Sequence, residues 1–396
     1  MPRALYVFRN LGLSLLAGSV VTAQAGLANN AQLIASLQSS APQSSVQPIH
    51  TDPETALREA IAKDVQDAWA NSDFAKLDSL ADEYVRTRAR TFSGKWRLAI
   101  FAEALSGQMQ IAWPDDWWLP ERQSECRCHI PDPARYQQAD LRWNALQEKL
   151  DLWVKQFPHS PHAQVSRAQF LVNRAWFYRG TGYADTVPDV AWPRFSKFVE
   201  AARNTLVETR STSIANPEWF NVMVPIASAQ SWEISRVAAL VRDLFEFGQS
   251  YATAYQSAAG MLLPKWGGSY KMIEDFAREA IKRTGPEEGA AIYARIYWQA
   301  DFGPTIFQDT DADWPAIKRG FDAMILKYPD PRNINGKAMF ACMAGDAATF
   351  NSTIKQLGDR VRPDSWYVPF DVCKLRFGAV ELGGRPQVTS SLLIQR

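Results

Sequence analysis

The residues best suited to metal or nucleophilic chemistry are scarce in this chain: four cysteines and four histidines among 396 residues. Cys126-x-Cys128-His129 brings three of them together. Structural zinc takes four ligands, usually with two to four residues between its cysteines, and the other histidines are His50, His159 and His162. A loop disulfide, between these two cysteines or with other partners, accounts for the motif better than zinc. Asp309-x-Asp311-x-Asp313 opens like a calcium loop, but the sixth and twelfth positions hold Trp314 and Gly320 where glycine and glutamate are needed. A helix start with Asp313 as the cap before Trp314-Pro315 fits better. His159 and His162 flank Pro161 with no third ligand nearby, which reads as solvent-exposed capping residues at a helix start. The nucleophile elbow, the zinc-protease helix and the phosphate loop are all missing from the sequence. The motifs therefore predict no catalytic residue, no cofactor and no metal.

Cys342 and Cys373 are different. They fall on C-terminal helical segments separated by a helix at 350–357 and by Pro363. First and third helices of a three-helix arrangement can meet, so a disulfide is expected, closing a loop worth about 3 kcal/mol. Aromatic residues offer another chemistry, stacking on sugars or proline-rich peptide. Most of the 15 tryptophans sit at core spacing, and Trp298 lies in an apolar helix. Trp113, Trp117 and Trp118 sit in a proline-rich loop, and packing of that loop onto the helices is the expectation.

The elements that must position these groups are helices. Leu57, Ile61, Val65 and Trp69 are four apart; Leu146, Leu150, Trp153, Val154 and Phe157 form one stripe ended by Pro158. Val237 to Phe245, Ile273 to Ile281 and Ile317 to Tyr328 repeat the pattern. Two-residue alternation is nearly absent, so a sheet is not expected. Breaks such as Phe157-Pro158-His159-Ser160-Pro161, Tyr328-Pro329-Asp330-Pro331 and Ala344-Gly345-Asp346 are short, which forces neighbours to pack antiparallel. The fold class predicted is all-α: stacked antiparallel helix hairpins, as a degenerate tetratricopeptide-like superhelix or a right-handed α-α array.

Arg3, Arg9, an apolar run from Leu11 to Val21 and Ala23-Gln24-Ala25 read as a signal peptide over 1–25, cleaved before Gly26. Residues 26–52 read as a Ser/Gln/Pro leader, with Thr51-Asp52-Pro53-Glu54 starting a helix. An N-terminal helical region follows over 53–112, then the Pro/Trp/Cys loop 113–134, the main helical body 135–380 and a tail 381–396. The expected compartment is the periplasm or the exterior. The formal charge of +1 offers no electrostatic footprint for nucleic acid. No later run of 18 apolar residues exists to span a membrane.

Leu262-Leu263-Pro264-Lys265-Trp266-Gly267-Gly268-Ser269 and Tyr293-Ala294-Arg295-Ile296-Tyr297-Trp298 resemble the bacterial family called domain of unknown function 4034. Phe157-Pro158-x-Ser160-Pro161-x-Ala163, Ala175-Trp176-Phe177-Tyr178-Arg179-Gly180 and Pro217-Glu218-Trp219-Phe220 extend the resemblance across about residues 55–380. What it implies is a helical, tetratricopeptide-like, often exported protein, with no catalytic residues to carry over. Within the first block, Gly267-Gly268 allows a tight turn and Ser269 caps a helix from Tyr270. Arg295, in an apolar helix, needs a carboxylate or carbonyl partner. A structural anchor is the expected role; a ligand pocket at Trp266, Arg295 and Tyr297 is the alternative.

Two functions follow: a binding or scaffolding module of the cell envelope with a protein or peptide partner, favoured, or a cell-wall glycan-acting enzyme, for which Asp115-Asp116 supplies paired acids. Helical lytic transglycosylases use a Glu-Ser pair, and no Glu-Ser dipeptide occurs here. Edman sequencing of protein recovered from outside the cytoplasm should begin at Gly26; a chain still beginning at Met1 or Pro2 would remove the cleaved-signal reading.

Overall fold

The computed structural model describes residues 52–111, 115–122, 128–299 and 302–378. The expected signal peptide, nearly all of the expected leader, Trp113, Cys126 and the tail lie outside the described residues. Within them the chain is all-α. The longer helices are α1 (Pro53–Ala70), α2 (Phe74–Thr87), α3 (Arg97–Gln108), α4 (Tyr136–Gln156), α5 (Pro161–Arg179), α6 (Ala191–Glu208), α7 (Glu218–Ala229) and α8 (Ile234–Phe247). After them come α9 (Ala252–Met261), α10 (Tyr270–Thr284), α11 (Ala290–Gln299), α12 (Trp314–Lys327), α13 (Pro331–Ala344), α14 (Ala347–Leu357) and α15 (Phe370–Phe377).

Local chemistry sets the boundaries. Asp52, Ser160, Ser269 and Asp346 each accept a backbone N–H of the first turn, and proline occupies the first turn of α1, α5 and α13. Gly267 takes φ +88°, and a side chain on Gly268 would run into the Leu262 carbonyl. That glycine pair is a steric requirement.

Successive helices pack as hairpins, and the odd-numbered ones also pack on one another: α1 on α3, α3 on α5, α5 on α7, α7 on α9, α9 on α11. Even-numbered helices cover this row from outside. α5 touches α2, α3, α4, α6 and α7, which is why its Phe170, Ala175, Phe177 and Tyr178 are buried around most of its circumference. One core cluster runs from Ile61 through Trp143, Phe220 and Phe276 to Met343, so α1–α3 share it with the rest of the body. Trp117, in the proline-rich loop, is buried edge-on against Phe177.

A satellite core joins α13, α14 and α15. Ile334, Ala338, Phe350, Ile354 and Leu357 surround the disulfide Cys342–Cys373, whose Cα atoms are 5.7 Å apart. The expected third-helix pairing is present.

The inner row runs with its helix N-termini on one rim, and there the array closes on itself. Arg332, in the first turn of α13, reaches Asp52 at 3.1 Å and Thr55 at 2.6 Å, at the start of α1. The α2–α3 connection crosses the same rim. Its tight turn is closed by Thr91 N to Lys95 O (2.8 Å) and Gly94 N to Thr91 O (2.9 Å). Buried Glu54 accepts from the Thr91 hydroxyl, the Ser93 hydroxyl and the Ser93 N–H. Burial opposes its charge, but Ser93 and Arg58 outweigh burial and hold the carboxyl below its ordinary value. Asn333 of α13 donates to Ser93 O at 3.1 Å, and Trp96 sits edge-on to Tyr251 at 5.3 Å.

Gly94 is where this closure is tightest. It has φ +78°, and a methyl there would meet the Tyr328 ring and lie 2.6 Å from Arg295 Nη2. Gly94→Ala should lower stability by about 2 kcal/mol or more, from overpacking and left-handed strain together. Chemical denaturation would show it, and an unchanged midpoint would contradict the closure described.

Candidate functional site

The residues singled out in sequence do not all meet at one point. Arg295 turns toward the rim, where its Nε bonds Glu288 Oε2 at 2.9 Å while Arg90 holds Glu288 Oε1 at 2.8 Å. All three are largely buried, so the carboxylate links α11 to the α2–α3 connection. The partner that Arg295 requires is therefore present. Its Nη2 is buried beside Gly94 with no hydrogen bond of its own. Tyr297, two residues on, donates to Glu274 Oε2 at 2.7 Å beside Tyr293 at 2.5 Å, and burial pushes both phenols up. Trp266 is half-buried in a single turn before α10. Arg295 and Tyr297 thus serve two different buried acids, Glu288 and Glu274.

His162 corrects an expectation. It is not an exposed residue at a helix start: it is 2% exposed. Ser160 is the cap of α5, accepting from Ala163 N at 3.0 Å. The imidazole turns inward because α2 and the start of α7 cover this end of α5. Asp313 is a smaller correction. It stands at the N-cap of α12, but its carboxylate takes Arg278 at 3.2 Å and makes no cap bond. Asp309 accepts from Thr305, three acids of that stretch do not converge, and Asp116 pairs with Arg135. Cys128 is disulfide-bonded.

The site that sequence reasoning missed lies between α3, α5, α7 and α9. Asp82 of α2 contacts His162 Nε2 at 2.8 Å, and His162 Nδ1 faces Asn216 Nδ2 at 3.1 Å. Asn216 Oδ1 accepts the Glu218 N–H at 3.0 Å. The Glu218 carboxyl accepts from Tyr251 at 2.5 Å and from Asn221 at 2.5 Å, and Ser257 continues the chain from Asn221. Leu98, Phe101, Leu105, Asn216 and Glu218 line a cavity of about 20 Å³, room for roughly one water.

Burial pushes the Glu218 carboxyl up to about 7, against the opposing pull of the Tyr251 and Asn221 hydrogen bonds. Burial, with Glu218 next to it, pushes the Tyr251 phenol well up too. A carboxyl poised near neutrality beside a water-sized space is the arrangement general acid–base chemistry uses. The signal available in sequence was an acid sitting directly before Trp219-Phe220 at a proline-marked helix start.

The fold and interior define an all-helical two-layer array with acid-rich helix starts. Comparison of the chain with family models, with curated proteins and with solved structures finds no match.

The raised Glu218 value has a direct consequence. The folded state favours the neutral acid, so its contribution to stability is complete below the ordinary carboxylate value near 4.5 and is lost as pH rises toward about 7. Glu218→Gln should flatten the pH dependence of the melting temperature over that window. Above it the variant should be more stable than wild type, by on the order of 1–3 kcal/mol. Parallel curves for the two proteins would refute the buried neutral acid.

Proposed function

We propose that the protein is an exported binding or scaffolding module of the bacterial cell envelope that engages a protein or peptide partner. The observation that carries this reading is how the polar groups are used. The buried acids and arginines tie helix to helix, while an open cavity of about 310 Å³ lies on the rim between the α10–α11 turn and the end of α12. Gly285, Gly289, Ala290, Met324 and Leu326 line it together with the charged Glu287, Glu288 and Lys327, and Leu326 is 89% exposed. That volume suits a side chain or two of a bound peptide. The Cys342–Cys373 disulfide supports an oxidising compartment. No helix among the described residues is long and apolar enough to cross a membrane.

The test is capture from envelope extract with wild-type protein and Leu326→Glu. A reproducible partner that the variant loses is expected; equal capture by both, or no reproducible partner, would count against the rim as a binding face. Glu218 favours a second reading, a glycan-acting enzyme, because a buried acid near neutrality is what protonation of a glycosidic oxygen requires. Turnover of purified peptidoglycan that Glu218→Gln abolishes would replace the binding reading.

A further inference from the structure

One member of the chain at α7 cannot change its chemistry: the backbone N–H of Glu218 is always a donor. The Asn216 atom 3.0 Å away must therefore be the oxygen. Its amide nitrogen then faces His162 Nδ1 at 3.1 Å as a donor, so Nδ1 carries a lone pair. The imidazole proton is on Nε2 and is donated to Asp82 Oδ1 at 2.8 Å. A protonated imidazole donates from both nitrogens. Its Nδ1–H would point at the Asn216 amino group, donor against donor. Turning the Asn216 amide over would repair that contact but set its amino group against the Glu218 N–H. His162 and Asn216 are 2% and 4% exposed, so water cannot easily take over the lost bond.

We propose that Asp82, His162 and Asn216 form an acid-sensitive latch on the start of α7: a proton gained by His162 releases the Asn216 hold on the Glu218 N–H and loosens the first turn of α7 from α5. The charged and titratable groups around the latch are consistent with it. From α2, Asp82 and the half-buried Asp78 are the acids that face His162. Asp82 is 70% exposed in its side chain, which gives the proton an entry. On the far side, Glu218 is faced by Tyr251 from α9, with Glu103 of α3 and Lys95 before it acting at longer range. Glu218 is itself neutral through the acid side of the window, since burial keeps its carboxyl protonated up to about 7. It therefore supplies no compensating negative charge. The loosened turn is the one that walls the water-sized cavity, so acid would admit solvent there.

Hydrogen exchange read by mass spectrometry tests the latch on the whole protein, at about pH 7.5 and about pH 5.5, with intrinsic rates corrected. Wild-type peptides covering residues 216–223 should exchange about fivefold faster at the lower pH, the loss of one hydrogen bond. In His162→Gln, whose amide can accept from Asn216 and donate to Asp82 without titrating, the rise should vanish. No rise in wild type, or the same rise in the variant, overturns the proposal. Should the variant not fold, long-range proton–nitrogen correlation on wild type at the higher pH decides it: the slowly exchanging imidazole must be the Nε2–H tautomer. An Nδ1–H tautomer would refute the latch.

Discussion

The inner helices begin on one rim, so their positive dipole ends crowd there. The chain answers with acid at those ends: Asp52 and Glu54 at α1, Glu218 at α7, Glu288 before α11 and Asp330 at α13. An acid beneath a helix start is stabilised, yet burying it costs several kcal/mol unless hydrogen bonds are supplied. Hydroxyls and guanidinium groups supply them, most brought in from another hairpin. Thr91 and Ser93 come to Glu54, Tyr251 to Glu218, and Arg90 with Arg295 to Glu288. The closure of the array is thus a consequence of neutralising one rim. Arg90 also lies over the Trp96 ring at 4.2 Å, so one side chain serves both the polar and the apolar part of the closure.

The five acids are not equivalent, and the differences follow from their donors. Glu54 has two hydroxyls, an N–H and Arg58, and stays ionised. Glu218 has a phenol and an amide with no cation in contact, and is held near neutrality. The number of donors and the presence of a guanidinium decide whether a buried carboxyl is a permanent charge or a titrating one.

Much of the fold was legible. The stripes in α4, α8, α10 and α12 gave helices, and Ser269 gave a cap because capping depends on neighbours within three residues. The Cys342–Cys373 bridge was reachable from helix order. Arg295 could be assigned the need for an acid, since a charge in an apolar helix must be met. The polar interior was not legible. Glu218 meets Tyr251 across 33 residues and Glu54 meets Ser93 across 39. No local pattern encodes such distances. His162 looked like a surface residue because nothing in the Pro161 neighbourhood says that α2 and α7 will cover it. Its partners, Asp82 and Asn216, lie 80 and 54 residues away.

The hydrogen bond from Asn333 to Ser93 spans 240 residues, and that separation has a temporal meaning. A ribosome adding 5–20 residues each second needs roughly 12–48 s to make the second partner after the first. Through that interval Arg88 to Trp96, made well before α13, has no α13 to rest on. The hairpins between can assemble as they appear, whereas the piece that ties them together is made before them and must wait for α13.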